Sequence, residues 1–576
     1  MLNYFRHKNS GSPWKFILLL FIVCFLKGCD ENKFLEEKPE DFLSPEIAYV
    51  THSDFEAALV NIYDIIRDEF VSSDNRNRFP CLAWQGTELV YTHKDLGVRP
   101  DWGNSVLLPT NTSVTYEAIW RPAYRIIYDA NVIIGRSESE NSKLTQDERN
   151  KVQAEARFFR GYMYKILANL YGGVPLVVEE TISPKRDYVR MSRKEVYQQS
   201  AEDLEFAAQN LPGINEVDGS RISNLAAFHM LSEVYISLEN WQDAVSAASQ
   251  VINHPNTGLM TERFGSMKDH PTLGGDVYWD LFRKGNQDRS SGNRESIWVL
   301  QYEFNVTGGD GGFDLERVLI PRLWQAKIFN ADGSVQPLVP FPNTYYYGRG
   351  SGFMSPTHYM YDQIWRDFNS FEIDIRKSEH NIVRDFIVNN PGSDHNGKWV
   401  FKDKVPISLV TSDDTTRNFF PVIAKASIVG QHPTELYHAN QTVPGSLTNA
   451  AQQTFRDRYM IRLAETYLLR AEAYFGMGEL SEAASDINVV RRRSQAFDVS
   501  PSDVTIDLIL DERLRELHFE EFRLLTLTRL GKLVERTRKH NPWVGDFYKD
   551  NNNLWPIPFN EIEKNIEAIL EQNPGY

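Results

Sequence analysis

The 576-residue sequence predicts a mainly α-helical protein, in which a scaffold of helical repeats carries a long, loop-rich insertion with a few short strands. Three observations predict this fold class. Several long segments place apolar residues three and four positions apart, which is typical of helices that bury one face. Two of these segments align with each other, as repeats do. The stretch between them is rich in glycine and proline, which favour turns and loops.

The first 28 residues have the composition of a signal peptide. Arg6, Lys8 and Lys15 precede an unbroken apolar run over residues 16–26. At about 1.5 Å per residue, a helix over this run is too short to cross a hydrocarbon core about 30 Å thick. We therefore predict that residues 1–28 are removed and do not form a permanent membrane span.

Cys29 lies three residues after the end of the apolar run, in the sequence Leu26-Lys27-Gly28-Cys29. This arrangement is similar to the lipobox of bacterial lipoproteins, in which the cysteine is acylated and becomes the new N-terminus. We predict lipidation at Cys29 and a tether over 29–45, which is charged and contains prolines. Lys27 departs from the small or apolar residue usual at its position, and the alternative is ordinary cleavage that yields a soluble protein.

Charge and cysteine content limit the classes of function. Removal of four basic residues with the signal peptide changes the formal charge from −16 to −20. An acidic body repels phosphate backbones, so we expect no nucleic-acid partner. Only Cys29 and Cys81 remain after cleavage, and acylation of Cys29 leaves no pair for an internal disulfide.

The segment 46–256 is predicted to form an N-terminal helical part. One helix carries apolar residues from Ala156 to Leu170 and is followed by Gly172 and Pro175, a common helix end. Within this part, residues 221–253 align without gaps with residues 460–492 at a constant offset of 239. Both copies share aromatic and small residues at matched positions: Phe228 with Tyr467, Ser232 with Ala471, Tyr235 with Tyr474, and Ala244 with Ala483.

This pattern is typical of tetratricopeptide repeats, in which small residues let two antiparallel helices approach and aromatic residues fill the gap to the next pair. Convergence of two unrelated amphipathic hairpins is the alternative. The second copy belongs to a predicted C-terminal helical part, 451–576. Residues 257–450 form the predicted insertion, and we expect it to carry the ligand-binding function because loops on a rigid scaffold adapt readily to a ligand.

The sequence resembles the SusD/RagB family of outer-membrane nutrient-binding lipoproteins over nearly the whole mature chain. The motifs that carry the resemblance, besides the two repeats, keep the family's order: Cys29 with Phe34-Leu-Glu-Glu-Lys-Pro39; Ala154-Glu-Ala-Arg-Phe-Phe-Arg160 with Leu170-Tyr-Gly-Gly-Val-Pro-Leu176; Ile461-Arg-Leu-Ala-Glu465; Glu512-Arg-Leu-Arg-Glu-Leu517; and Pro556-Ile-Pro558 with Asn573-Pro-Gly-Tyr576.

The resemblance implies a tetratricopeptide-like fold that is lipid-anchored and exposed at the surface of the outer membrane. It also implies a TonB-dependent transporter of the SusC type as partner, over which the protein lies as a lid. The implied ligand is an oligosaccharide or polysaccharide, and the family consists of binding proteins rather than enzymes.

No catalytic, metal or cofactor motif was found in the sequence. Zinc-binding spacing, a phosphate-binding loop and a Gly-x-Ser-x-Gly elbow are absent, and we predict no catalytic residue, metal site or cofactor. Five charged residues of the family motifs are interpreted as structural partners within the helical stack: Arg157, Arg160, Glu465, Glu472 and Glu512.

Two regions offer the flat aromatic rings and planar polar groups that a sugar requires. The first region, 84–104, contains Trp84, Asp101, Trp102 and Asn104, and the second, 324–353, contains Trp324, Tyr345, Tyr346, Tyr347 and Arg349. The alternative for either region is a small core under loops. Four other tryptophans are expected in the core: Trp120, Trp279, Trp298 and Trp365.

Our hypothesis from the sequence is a surface protein that captures a glycan for a transporter without catalysis. The alternative is a protein-interaction scaffold, or a capture protein for peptides or other nutrients in the same kind of complex. A glycosidase is a third and weaker alternative.

Overall fold

The computed structural model describes residues 48–67, 83–92, 117–309, 315–400 and 417–576. Within these ranges the chain forms fifteen α-helices and short strands, which confirms the predicted mainly helical repeat fold. No helix in these ranges is long and apolar enough to cross a membrane. The predicted signal peptide, Cys29 and the tether lie outside the described residues.

Six helices of the described residues lie in the N-terminal part. The longest, α3, begins at a capping box, in which Thr145 and Glu148 satisfy each other's backbone N–H groups. It ends at Gly172, whose positive φ of 75° suits glycine. The six helices are α1 (His52–Ile65), α2 (Glu117–Ser137), α3 (Gln146–Tyr171), α4 (Arg193–Asn210), α5 (Asn224–Ser237) and α6 (Trp241–Ile252).

The C-terminal part returns to helix after one strand. It contains β10 (Arg458–Arg462), α10 (Leu463–Met477), α11 (Leu480–Arg493), α12 (Ile506–Leu517), α13 (Arg523–Arg529), α14 (Leu533–His540) and α15 (Phe559–Lys564). Helices α10 and α11 begin 239 residues after α5 and α6 respectively, which is the offset found in the sequence.

The two repeat pairs stack directly on each other. Ile236 and Ala244 of the first pair share a buried cluster with Leu469 and Ala473 of the second. A Cβ atom added at Gly476 would lie 2.6 Å from the Trp241 ring, so the glycine allows the aromatic side chain of one repeat to lie against the other repeat. This is the small-residue and aromatic packing that the sequence pattern predicted.

Short elements connect the two parts. They are α7 (Val277–Asp280), β2 (Ser296–Leu300), α8 (Leu315–Leu319), β3 (Lys327–Phe329), β4 (Val335–Pro337), β5 (Met354–Pro356), α9 (His358–Tyr361), β6 (Ile382–Val383), β7 (Phe386–Ile387), β8 (Trp399–Val400) and β9 (Val422–Ile423).

The strands form antiparallel pairs: β1 (Val90–Thr92) with β5, β2 with β10, β3 with β4, β6 with β9, and β7 with β8. Because β2 pairs with β10, part of the 257–450 region is joined to the C-terminal part. The five-part division of the chain by sequence remains a prediction.

Buried ion pairs join the helices, as the sequence interpretation expected. Each of the five charged motif residues has a partner of opposite charge: Arg157 and Arg160 with Asp203, Glu465 with Arg513, Glu472 with Arg529, and Glu512 with Arg491. The four tryptophans expected in the core, Trp120, Trp279, Trp298 and Trp365, are also buried.

A further buried carboxylate, that of Glu88, holds the base of β1 against the C-terminal helices. It lies 2.7 Å from Arg523 and 2.9 Å from Arg536. Burial alone would raise its pKa, but the two guanidinium groups prevail and lower the pKa of Glu88 to about 2. Nearby guanidinium groups likewise outweigh the effect of burial at Glu512 and lower its pKa to about 2. Both carboxylates are therefore ionised in the folded protein at neutral pH.

We expect stability to depend on pH in the acid range. Because these folded-state pKa values lie below the unfolded value near 4.5, the stabilisation is complete above about pH 4.5 and is lost as pH falls through about 2. Urea unfolding at pH 7, 4.5 and 3 would measure this loss. Glu88→Gln should be less stable than wild type at pH 7, and its stability should fall less between pH 4.5 and 3. An equal fall in both proteins would contradict the assignment.

Candidate functional site

The structure brings parts of the two sequence-predicted aromatic regions together. Strand β1, in the first region, pairs with β5, which directly follows the second, and Thr92 lies opposite Met354. The backbone that leaves β1 toward the predicted residues Asp101, Trp102 and Asn104 therefore starts beside the second region. These three residues lie outside the described ranges, and their role remains a prediction.

Trp84 is a core residue, and its prediction as a ligand residue is corrected here. Its ring is fully buried, and its indole N–H donates to the carbonyl of Glu521 at 2.9 Å. The ring also meets Phe519 edge-on, with a centroid separation of 5.4 Å. A ring without an exposed face cannot stack on a sugar, and a buried indole with a satisfied N–H is typical of a core.

The three tyrosines of the second region lie on one tight turn, 343–348, which we call the tyrosine turn. The buried Asn343 organises it, because its side chain accepts a hydrogen bond from the Tyr345 N–H at 2.9 Å and donates to the Pro444 carbonyl at 2.8 Å. The Gly348 N–H closes the turn on the Asn343 carbonyl at 2.9 Å. An antiparallel bridge between Asn343 and Ser446 joins the turn to the neighbouring backbone.

Glu316 holds the tyrosine turn from beneath. Its buried carboxylate accepts hydrogen bonds from the Arg349 N–H at 3.0 Å and the Ser427 hydroxyl at 2.9 Å, and it lies 3.0 Å from Nε2 of His432. A Cβ atom added at Gly348 would lie 1.7 Å from Oε1 of Glu316, and Gly348 has a φ of 86°. Both the contact and the backbone conformation therefore require glycine at this position.

The three tyrosines point to different surroundings. Tyr345 is 46% exposed, and its ring lies over Gly445, where an added Cβ would be 2.7 Å from the ring. Tyr346 donates to the Ile387 carbonyl, packs against the insertion core, and has its pKa raised by burial. Burial also raises the pKa of Tyr347 to about 12 against the opposing charge of Arg283. Tyr345 is therefore the residue of this run that presents a ring to solvent.

The remaining predicted residues support the turn rather than project from it. Trp324 is half-buried against the insertion core, and its indole N–H donates to the Gly350 carbonyl at 3.4 Å. Arg349 is half-buried as well, and its backbone N–H donates to Glu316. Sequence and structure agree that these residues lie in one region, but only the structure separates the exposed ring from its supports.

Phe341 is an exposed aromatic residue of this surface that the sequence reasoning missed. Its ring centroid lies 5.1 Å from that of His438. The Leu447 N–H donates to the Pro342 carbonyl at 2.7 Å, and the His438 N–H donates to the Ser446 carbonyl at 3.0 Å. Phe341 thus lies on the same short backbone ladder as Tyr345. Its position four residues before Tyr345, next to proline, was the available signal.

Three buried side chains under the turn are joined by hydrogen bonds and have the composition of a catalytic triad. Thr344 Oγ1 lies 2.8 Å from Nδ1 of His432, whose Nε2 faces Glu316. All three side chains are buried, and the Thr344 hydroxyl also accepts the Gly430 N–H at 2.9 Å. A nucleophile must reach its substrate, so these side chains orient the turn and do not constitute a hydrolytic site. The surface above it is suited to binding through ring contact and hydrogen bonds.

Two protein-family models match the chain. One, described as the SusD family, matches residues 294–576, and the other, described as starch-binding and associating with the outer membrane, matches residues 33–236. The chain belongs to the SusD/RagB family. Together the two models match all of the chain except residues 1–32 and 237–293. This coverage agrees with the resemblance seen in the motifs.

One relative aligns with nearly the full length of this chain, and another aligns with a shorter stretch. SusD-like protein P25 of Formosa agariphila is 24% identical over 596 aligned residues, covering 97% of this chain and 99% of that protein. The starch-binding protein SusD of Bacteroides thetaiotaomicron is 35% identical over a shorter stretch of 123 residues, 20% of this chain and 21% of SusD.

Solved structures of SusD-like proteins have the same fold. A laminarin-binding SusD-like protein superposes with a TM-score of 0.65 at 22% identity, covering 92% of this chain and all of that one. Surface glycan-binding protein A from Bacteroides thetaiotaomicron, in complex with laminarihexaose, superposes with a TM-score of 0.64 at 18% identity, covering 91% of this chain and all of that one. At these identities the likeness shows the fold, and it confirms the helical scaffold.

Proposed function

We propose that this protein is a lipoprotein of the outer-membrane surface, anchored through Cys29, that binds an oligosaccharide or polysaccharide. It passes this ligand to a TonB-dependent transporter of the SusC type and does not cleave it. The observation that carries the proposal is the exposed Tyr345 ring on a turn whose geometry is set by buried hydrogen bonds. Relatives with the same fold, named for binding laminarin or solved with laminarihexaose, support the ligand class.

The construction of the tyrosine turn favours binding because little conformational freedom remains to be lost. Asn343 and Glu316 hold the backbone from below, so the ring of Tyr345 is already oriented when a ligand arrives. An aromatic ring offers a flat apolar face, which suits the C–H face of a sugar. In this proposal Phe341 extends the surface, and Trp102, with Asp101 and Asn104, contributes from the segment after β1.

We expect Tyr345→Ala to weaken glycan binding by about tenfold, or about 1.4 kcal/mol. The loss follows from removal of the stacking face, so Tyr345→Phe should retain most of the affinity. Calorimetric titration of the mature chain against laminarihexaose and a panel of plant, host and microbial polysaccharides measures the effect. The melting temperature should change little because nearly half of the side chain is exposed and the hydrogen bonds that hold the turn do not involve it.

Tyr128→Ala is the matched control for this experiment. Tyr128 is also 46% exposed but lies on α2, away from the tyrosine turn. The Tyr128→Ala variant loses a tyrosine side chain of equal exposure, and its glycan affinity should equal that of wild type. Unchanged affinity in Tyr345→Ala would contradict the site, and release of sugar from any bound glycan would contradict the non-catalytic role.

The alternative role as a protein-interaction scaffold rests on a different part of the molecule. The two repeat pairs pack against each other through Ala244 and Ala473, so this face is used internally. Protein contact is better supported at the edge formed by α2 and the C-terminal segment. Such contact is compatible with glycan binding, because transfer to a transporter requires both a ligand surface and a protein surface.

A further inference from the structure

The most exposed large apolar side chains of the described residues are concentrated in two segments, 178–189 and 561–570. Ile182 is 85% exposed, Ile569 81%, Ile566 68% and Val189 57%, and no other large apolar side chain in the described ranges exceeds these values. We call these four residues the apolar patch. Exposed aliphatic side chains grouped on two adjoining segments are typical of an interaction surface.

The two segments are joined by hydrogen bonds, so the patch has a common ordered base. Tyr188 and Asn565 are doubly linked, from the Tyr188 N–H to the Asn565 amide oxygen and from the Asn565 amide to the Tyr188 carbonyl, both at 2.8 Å. The Glu567 N–H donates to the Arg186 carbonyl at 2.9 Å. These bonds hold the segment that carries Val189 beside the segment that carries Ile566 and Ile569.

A cleft of about 350 Å³ opens beside the apolar patch. Its lining includes Thr181 and Leu570, the immediate chain neighbours of Ile182 and Ile569. The lining also includes three aromatic residues of α2, Trp120, Tyr124 and Tyr128. Protruding aliphatic side chains next to an aromatic cleft suit a shaped protein surface, since a bulky apolar side chain buried in such a cleft is a usual anchor of an interface.

The charge of the surface around the apolar patch and its cleft, which we call the α2 edge, limits the kind of partner that can bind there. Three basic residues here, Arg121, Lys185 and Lys564, are paired with the carboxylates of Glu117, Asp187 and Glu561, and Arg186 adds one more exposed cation. Further exposed carboxylates follow along the C-terminal segment, at Glu563, Glu567 and Glu571. The surplus is negative, which disfavours an anionic bilayer surface and favours a partner with basic side chains around its apolar anchor.

The described chain begins at the same edge. The Val50 carbonyl accepts the Lys143 N–H at 2.8 Å, just after α2. Tyr49 is close enough to Asp129, Glu180 and Tyr128 for their charges to add to the rise in its pKa that burial causes. With the chain anchored through Cys29, this edge is the part of the described structure nearest along the chain to the membrane anchor.

We propose that the apolar patch and its cleft are the docking surface for the transporter, an outer-membrane protein that places a bulky apolar side chain in the cleft and basic side chains opposite the carboxylates of 561–571. This proposal rests on the proposed function, because it assumes delivery to a partner in the same membrane. It assigns glycan binding and partner binding to separate surfaces, the tyrosine turn and the edge at α2.

The test uses the full chain, expressed in its native host with an affinity tag, and the SusC-type transporter that purifies with it. The double variant Ile182→Glu with Ile569→Glu should reduce co-purification of the transporter by at least about tenfold, because it places charges where the interface is apolar. Phe497→Glu is the matched control, since Phe497 is 54% exposed on the loop after α11 and should leave co-purification unchanged.

The outcomes separate this proposal from the proposed function. Co-purification of wild type and the double variant in equal amounts overturns the docking surface. Absence of any transporter with wild type overturns the delivery role itself. A photoreactive side chain at position 182 should cross-link to the transporter; cross-links only to lipid, or to a second copy of this chain, overturn the assignment. Glycan affinity of the double variant, measured by calorimetry, should equal that of wild type.

Discussion

Replacement of Glu516 by glutamine is expected to lower the free energy of unfolding by about 3–5 kcal/mol. The Glu516 carboxylate is fully buried and contacts three guanidinium groups, those of Arg493, Arg462 at 2.6 Å and Arg376 at 3.3 Å. Burial acts to raise its pKa, but these three cations hold the pKa of Glu516 well below its usual value. A neutral amide would leave this cluster with excess buried positive charge.

Glu516 contacts three separate parts of the chain, which explains the expected size of the effect. Arg462 ends β10, Arg493 ends α11, and Arg376 lies in the insertion, so one carboxylate joins three parts of the chain. The loss would be measured as a shift in the urea midpoint at pH 7. Asp498→Asn is the control, because Asp498 pairs with Arg492 at the surface and should cost less than about 1 kcal/mol. Equal losses in both variants would contradict the central role of Glu516.

Gly348→Ala is expected to reduce glycan affinity by more than about tenfold, a larger effect than truncation of Tyr345, because it displaces the whole tyrosine turn. The added methyl group would overlap the Glu316 carboxylate, which lies 1.7 Å from the Cβ position. Relief of this overlap requires movement of Glu316 or of the backbone at Arg349, and either movement breaks the hydrogen bonds under Tyr345.

Gly333→Ala separates this overlap from ordinary backbone strain. Gly333, between β3 and β4, has a φ of 81°, close to the 86° of Gly348, but no atom lies within 4 Å of its Cβ position. Both variants should lose roughly 1–2 kcal/mol of stability from the left-handed conformation, and only Gly348→Ala should lose glycan affinity. Titration with the same glycan and thermal unfolding of both variants measure the difference. Normal affinity in Gly348→Ala would show that the turn does not form the site.

Separation of the ligand surface from the docking surface would suit a protein that transfers its ligand. Tyr345 belongs to the insertion, and its supports pack on the insertion core, whereas Ile182 and Ile569 adjoin a cleft that is lined in part by α2. In this proposal a partner at the apolar patch contacts none of the residues of the tyrosine turn. The variants described above test the two surfaces independently.

The sequence alone predicts the features that depend on residues close together in the chain. The apolar spacing of α3, its start at Thr145 and its end at Gly172 depend on residues within a few positions of one another. The repeat offset alone predicts the positions of α10 and α11, because each repeat pair depends mainly on its own aromatic and small residues. The order of family motifs identified the SusD/RagB fold for the same reason. Among the charged motif residues, the sequence indicated pairing but not the partners.

Only the tertiary structure decided which aromatic residues are exposed. Trp84 and Tyr345 both lie near glycine and are both aromatic, yet Trp84 is buried because the Glu521 carbonyl, distant in the chain, accepts its N–H. Tyr345 is exposed because Glu316 and the Pro444 carbonyl hold its turn at the surface. Exposure depends on contacts between residues far apart in sequence, whereas periodicity and capping depend on near neighbours, and this difference separates what the sequence determined from what the fold decided.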